Sequence, residues 1–580
     1  MYTDVGLNTE IIDRGKWLVS LPNWKRGLSV VASVGALGLL LAGCGSGSNG
    51  GNTGNGSTPA ATVNKEGGSI ILDSSGSIKD LDPAHAYDTA SDEFVNEMYD
   101  TLVTYQGTSS NIIPHAATSW EVSPDGKTYT FHLRNDMKFW NGDPVTAQSF
   151  VDEFTRVLSK SVNSPGEGFL DPIVEGSTAY FQGKATSVSG LSAPDKYTFV
   201  VKLTQPEPFF LEVLAMPFFS AVDQSWINKV GNQAFDSQKP MGSGPFELQS
   251  NNPNQIVMTK NPNYWMKDSD GNRLPYLDKV TVRINPNENL NALNFEKGET
   301  AFLGNLQMVP TSQWNTFLNT PKLKATMMNA PQNSTWYIGL NSTVKPFDNV
   351  LVRQAIEYAI NKDKIRQLMN GRVQVANQPL PPGIKGYMNP LPADATYNYD
   401  PAKAKQLLAQ AGYPNGFTTT LYSQNSSDAM KIDTSIQSDL AAVGIKVNID
   451  STAWGTFLTD NEKGKQGMFQ LAWLQDFPDA SDFLNTLFNT NQQPQNNSSM
   501  YSNKQVDEWL NKAQTDTNET ERYQLYDKVT EQIMKDAPWV PLYYSEFNYA
   551  VQPWVHGFYI NPTLTDPLQF IWIDKNHSAS

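Results

Sequence analysis

One cysteine serves the whole 580-residue chain, and it stands at position 44, just after a short apolar run. No internal disulfide can form, and Cys-based zinc sites and CxxC redox chemistry are excluded with it. Burial alone must hold the fold, and the length allows roughly 3–5 domains. The five histidines, at 85, 115, 132, 556 and 577, include no pair at helical ligand spacing, so no metal site or cofactor is expected. The 43 Lys and Arg face 58 Asp and Glu, a net charge of −15. That balance argues against nucleic acid, because phosphate binding needs a basic stripe. Charged residues are only 17%, so Asn, Gln, Ser and Thr must carry much of the polar surface.

The apolar run, Leu28 to Leu41, is 14 residues long and follows Arg14, Lys16, Lys25 and Arg26. A membrane-spanning helix needs about 20 residues, so the run suits the h-region of a signal peptide. It ends in Leu41-Ala42-Gly43-Cys44, which resembles the bacterial lipobox: small residues fit the peptidase, and the thiol becomes a thioether to diacylglycerol. The other reading of Cys44 is a buried free thiol after an uncleaved helix. Cleavage before Cys44 would leave a mature chain of net charge −16. Residues 45–64 are rich in Gly, Ser and Asn, the composition of a flexible tether. Gly45, Gly47 and Gly50 match a dinucleotide fingerprint in spacing only, with no strand before and no helix after.

From about residue 65 strands and helices alternate irregularly. Tyr129, Phe131 and Leu133 alternate with polar residues after the turn Pro124-Asp125-Gly126-Lys127. Thr198–Leu203 is a second strand. Asp400-Pro401 caps a helix carrying Ala404, Leu407, Leu408 and Ala411, which Gly412 stops. One helical period runs from Val350 to Met369, and another helix from Glu519 to Lys535. Ile445, Val447 and Ile449 alternate as a strand, and Trp539–Tyr544 reads as a buried one. The fold class is α/β with several lobes. A Walker A loop, a G-x-S-x-G elbow and an H-E-x-x-H motif are all missing. Asp268-Ser269-Asp270-Gly271 lacks EF-hand spacing and reads as a surface turn.

Collinear segments carry a family resemblance. They begin with Leu81-Asp82-Pro83, Tyr99-Asp100-Thr101-Leu102, and Trp120 with Asp125-Gly126. Phe139-Trp140-Asn141-Gly142-Asp143-Pro144, Gly242-Ser243-Gly244-Pro245-Phe246, Asn261-Pro262-Asn263-Tyr264-Trp265 and Pro275-Tyr276-Leu277-Asp278 follow. Then come Asn341, Pro346-Phe347-Asp348 and Val352-Arg353-Gln354-Ala355, and finally Trp473-x-x-Asp476-Phe477-Pro478-Asp479 before Phe483-Leu484. Over roughly 65–575 the chain resembles the family 5 extracellular solute-binding proteins, the oligopeptide and dipeptide receptors of ABC importers. Most of these segments also read as turns and core anchors.

The resemblance implies a two-lobed, periplasmic-binding-protein-like clamp with an extra subdomain on the first lobe. Lobe I is expected from residues 65–104, 243–336 and 545–580, the subdomain from 105–242, and lobe II from 337–544. The crossings are expected near Trp336–Gly339 and Tyr543–Ser545. Ligand-facing strands are expected at Tyr87, Asp88, Thr89 and Ala90 and at Ala472, Trp473 and Leu474, with Tyr337 and Tyr543 beside them. Asp476 is expected to capture a peptide α-ammonium, since its apolar neighbours make an uncompensated carboxylate costly; a turn-capping role is the other reading. Gly339 stands where some peptide receptors carry an acid.

The expected protein is a non-enzymatic receptor that delivers peptides to an ABC permease and ATPase on separate chains. Its expected place is extracytoplasmic, held to the cell membrane by lipidated Cys44, on a Gram-positive-type surface. No long heptad seam points to self-association, so a monomer is expected. A receptor for a nickel chelate, an oligosaccharide or a murein peptide stays open, as do a lipid-anchored hydrolase and an adhesive role.

Cys44→Ser should shed the protein or leave it unprocessed, as read by membrane fractionation and intact mass. One acyl chain binds membranes only marginally, so the anchor should carry at least two. An unmodified 1–43 segment on the mature surface protein would overturn the lipobox reading.

Overall fold

The computed structural model describes residues 65–561 and 565–579. The expected leader, Cys44 and the tether lie outside these residues. The strand Ser69–Ser74 pairs in parallel with Lys279–Ile284, and Gln255–Lys260 and Phe246–Asn252 complete a four-stranded sheet. A parallel pair needs a long crossover, and this one carries a second sheet. That sheet is antiparallel, ordered Ala117–Val122, Thr128–Leu133, Thr198–Lys202, Leu191–Asp195. Thr128–Leu133 buries Tyr129, Phe131 and Leu133. The preceding turn closes where Gly126, at φ +70°, donates its N–H to Ser123 O at 2.8 Å. The helix Ala147–Val157 lays Phe150 and Phe154 on Phe199, with ring centroids 5.9 and 5.2 Å apart. Ile70, Phe131, Phe154, Val280 and Ile573 share one buried cluster, so early, middle and C-terminal segments pack as one body.

Several of the collinear motifs converge on one buried carboxylate. Asp100 accepts from Ser243 Oγ at 2.6 Å and from Tyr264 Oη at 3.3 Å, while Asn261 Nδ2 donates to Gly244 O at 2.9 Å. Gly242 is required here, because a Cβ would come within 1.8 Å of Met98 O. Asp82 pairs with Arg156 of the helix Ala147–Val157 and ties the first loop to the second sheet. These motifs hold the scaffold together.

A third, seven-stranded sheet contains Phe302–Leu303, Trp539–Val551, Met327–Leu340, Met468–Leu474, Thr418–Gln424 and Lys446–Thr452, with Val373–Val375 also on Trp539–Val551. The two long strands pair along almost their whole length, from Met327 opposite Ala550 to Gly339 opposite Trp539. The register shifts between Pro331 and Thr335. On one side of that shift lies Phe302–Leu303, and on the other Met468–Leu474, so the pair runs from one lobe into the other. The expected strand at Trp539–Tyr544 continues to Val551 because Met327–Pro331 and Phe302–Leu303 supply partners for its far half.

The helical period over Val350–Met369 is two helices, Val350–Ala359 and Lys362–Leu368. Asn361 breaks it: its side chain accepts from Lys364 N at 3.0 Å, and its own N–H donates to Asp439 Oδ2 at 3.0 Å. A cap of this kind contributes about 1 kcal/mol, enough to decide between one helix and two. The helix Pro401–Gln410 is capped by Asp400, which accepts from Lys403 N at 2.9 Å. Glu519–Asp536 is the long helix expected, closed by Ala537 in the left-handed region at φ +49°.

Asp433 lies on the buried face of the helix Ser427–Ala441. Its Oδ2 accepts from Ser423 Oγ at 2.6 Å, and its Oδ1 has no partner. Burial pushes its pKa up to about 7. Folding thus favours the neutral acid, and the stability this gives is lost as pH rises from the ordinary carboxylate range through about 7. Asp433→Asn should therefore stabilise the protein at pH 8, by ~1–3 kcal/mol, and change little below pH 4. Calorimetric melting at both pH values reads this, and an unchanged melting temperature at pH 8 would contradict it.

Candidate functional site

Where the two long strands pass between lobes, a cavity of about 750 Å³ opens. One wall comes from the loop Ser75–Lys79, from Asp88–Ala90 and from Asn305–Thr311; the other comes from Leu471–Leu474 and the helices that begin at Ser427 and Trp454. Trp336, Tyr337, Tyr543 and Ser545 of the long strands form its floor. Of the residues expected from the sequence, Asp88, Thr89, Ala90, Tyr337, Ala472, Trp473, Leu474 and Tyr543 line this cavity. Tyr87 and Asp476 are not among its lining residues; they meet each other, with the Tyr87 hydroxyl donating to Asp476 Oδ1 at 3.3 Å.

The strand expected at Tyr87–Ala90 is corrected. Asp88 is the N-cap of a helix, Thr89–Met98, its carboxylate accepting from Ser91 N at 2.9 Å and Ser91 Oγ at 2.7 Å. An Asp at this position satisfies an orphan amide of the first turn, which an extended backbone would not offer. Ala472–Leu474 is strand, within Met468–Leu474. One of its edges pairs along Ser334–Leu340. On the other edge, pairing with Thr418–Gln424 covers only Met468 and Phe469. Among the described residues, therefore, no strand covers that edge from Gln470 to Leu474.

Three carboxylates at intervals of three residues finish this strand. Asp482 accepts from Trp473 Nε1 at 3.2 Å and from Asp476 N at 2.8 Å, fixing both the indole and the turn. Asp479 caps the helix Ala480–Phe488 and pairs with Arg522, whose Nη1 is 2.9 Å away. The capping role therefore falls on Asp479. Asp476 is buried and faces Tyr87 from the other lobe. Next to it Phe477 stacks on Phe209 of the subdomain, centroids 5.1 Å apart and planes 7° from parallel. The Tyr87 ring packs on Phe218 at 5.1 Å. The lobes are thus in contact.

The cavity holds residues that carried no signal in the sequence. Trp454 adds aromatic wall, and Lys79, Arg372, Glu288, Asp428, Glu462 and Glu546 add charge. These come from six separate stretches of chain, and no local spacing announces them. Behind the wall, His85 sits with Asp80 and Asp236. Its Nε2 lies 2.7 Å from Val162 O and its Nδ1 3.8 Å from Asp236 Oδ2. Contact with Asp236 pushes the imidazole up to about 9.

Comparison with known proteins agrees with this geometry. The family described as bacterial extracellular solute-binding proteins, family 5 middle, matches residues 111–495. The glutathione-binding protein GsiB of Escherichia coli K12 is 31% identical over 494 residues, 83% of this chain and 90% of its own. The heme-binding protein A of Haemophilus influenzae is 29% identical over 82% of this chain and 87% of its own. Among solved structures, the ABC transporter-associated periplasmic binding protein DppA of Helicobacter pylori, in complex with the peptide STSA, is 30% identical with a TM-score of 0.73. It covers 88% of this chain and 99% of its own.

Phe477→Ala should loosen the closed form. Stacked aromatic pairs contribute about 0.5–1.5 kcal/mol beyond their buried area, so the open population should rise several-fold. Solution scattering should show a larger radius of gyration for the variant without ligand; identical curves would mean that the Phe209 contact does not hold the lobes.

Proposed function

The chain belongs to the family 5 bacterial extracellular solute-binding proteins, and on that premise we propose that it captures oligopeptides between its lobes and hands them to a membrane permease. As a member it is the substrate-binding component of an ABC importer. The observation that carries the peptide reading is the uncovered edge from Gln470 to Leu474, of which Leu471–Leu474 line a cavity of about 750 Å³. An extended peptide laid along it completes the backbone hydrogen bonds that a neighbouring strand would make. Asp476, just beyond that edge, receives the α-ammonium, with the Tyr87 hydroxyl as its second partner. A receptor of this kind signals occupancy by closing, because a ligand held by both lobes stabilises the closed state by its differential affinity. The permease and ATPase are separate chains, and lipidated Cys44 keeps the monomeric receptor beside them on the outer face of the cell membrane.

Hydrogen bonds to charged groups contribute roughly 1.5–3 kcal/mol. Asp476→Asn should therefore lower peptide affinity on the order of 100-fold, since about 1.4 kcal/mol is tenfold. N-acetylated peptides should bind the native protein poorly, and the variant should distinguish free from acetylated N-termini less well. Titration calorimetry reads all three, beginning from ligand identified by mass spectrometry of the purified protein. Equal binding of free-amine peptides by native and variant protein would remove Asp476 from the site. The three tryptophans on the wall, Trp336, Trp454 and Trp473, favour an oligosaccharide as the second reading. Saturable binding of a glycan with no peptide binding would establish it instead.

A further inference from the structure

The loop between the strand Ser69–Ser74 and the helix Thr89–Met98 puts Ser75, Gly76, Lys79 and Asp88 in the cavity wall. Asp80 and His85 lie on the same loop, and Asp236 meets them from the helix Asn232–Ser237 of the subdomain. The three side chains bring one ligand atom each within 4.8 Å of one another. His85 Nε2 is 2.7 Å from Val162 O, and a carbonyl only accepts, so Nε2 carries the hydrogen and Nδ1 turns to Asp236. A metal-ligating histidine is oriented in this way, with its other nitrogen donating to a backbone carbonyl. Asp236 is also held in place. Its Oδ1 accepts from Leu81 N at 3.1 Å and Asp82 N at 3.0 Å, and its Oδ2 lies 3.8 Å from Nδ1. That last separation is too long for a hydrogen bond, and it accommodates one ion about 2.0–2.2 Å from each atom. The His85 and Asp236 side chains are 27% and 23% exposed, so an ion and its waters can reach them. Arg156, on the neighbouring helix, is already paired with Asp82 and Glu153.

We propose that Asp80, His85 and Asp236 bind a divalent metal ion of the zinc class, which fastens the loop of the cavity wall to the subdomain. The inference does not depend on which ligand the cavity takes. A proton on Nδ1 balances one of the two carboxylates, whereas a divalent ion balances both, and the ion binds by displacing that proton. Calcium prefers roughly 6–8 oxygen ligands. One imidazole with two carboxylates suits zinc instead, with water in the remaining position. Histidine spacing does not reveal the site, because its ligands come from a loop and a helix far apart in the chain.

The test is titration calorimetry of the chelator-treated full chain with zinc chloride, and a melting curve with and without the ion. Native protein should bind zinc and melt at a higher temperature with it. Asp80→Asn, His85→Gln and Asp236→Asn should each weaken zinc binding by at least roughly 100-fold, since losing even an outer partner of a ligand costs about 10–100-fold. Glutamine at 85 still donates to Val162 O, and asparagine at 236 still accepts from Leu81 and Asp82, so both variants should fold; Asp80→Asn decides alone if either does not. His556, on the surface 3.0 Å from Asp574, serves as the control, and His556→Gln should leave zinc binding unchanged. No zinc binding by native protein would overturn the inference and leave His85 and Asp236 as an ion pair only. Undiminished binding in the folded variants, or loss of binding in His556→Gln, would also overturn it. So would calcium bound as tightly as zinc, because calcium does not call on the imidazole.

Discussion

The pairing of Met327–Leu340 with Trp539–Val551 is the constraint on which the rest of the molecule depends. These two strands serve both lobes. The ladder is broken between Pro331 and Thr335, where backbone groups lose their strand partners. Buried polar groups without partners are costly, and Gln475 supplies them: its N–H donates to Asn333 O at 3.1 Å, and Asn333 Nδ2 donates to Gln475 Oε1 at 2.9 Å. Gln475 sits beside Asp476. The irregularity in the strands and the end of the ligand-facing strand are thus one hydrogen-bonded unit.

Around that unit the lobes touch through a small set of contacts. Phe477 with Phe209, Tyr87 with Asp476, and Arg372 with Val309 and Thr311 are the named ones. None is a large apolar interface of the kind that locks domains together. Closure held by a few contacts of order one kcal/mol each can be tipped by a ligand that adds a similar amount.

The carboxylates at 476, 479 and 482 show how little local sequence says about a side chain's work. All three follow a buried strand at equal spacing, yet one orients an indole and a turn, one caps a helix and pairs with Arg522, and one faces across to Tyr87. For Asp479 and Asp476 the difference comes from what a distant helix and the other lobe place opposite them.

Much of the scaffold was legible in the sequence because its signals are local. Alternation wrote the strand at Tyr129–Leu133, and Asp400-Pro401 with Gly412 bounded a helix, because period and caps act within a few residues. The collinear motifs identified the clamp, since groups such as Asp100, Gly242 and Asn261 meet in one buried knot that tolerates few alternatives. A local signal also misled, since Asn361 split one helical period, and Asp88 opened a helix where the resemblance implied a strand, because its side chain caps the first turn. What only tertiary structure decided was the site itself. The uncovered edge at Gln470–Leu474, the contact of Asp476 with Tyr87 and the contact of Arg372 with Val309 are relations between segments far apart in the chain. Charge compensation and edge exposure depend on distance in space, and that distance exists only once the long strands have brought the two lobes together.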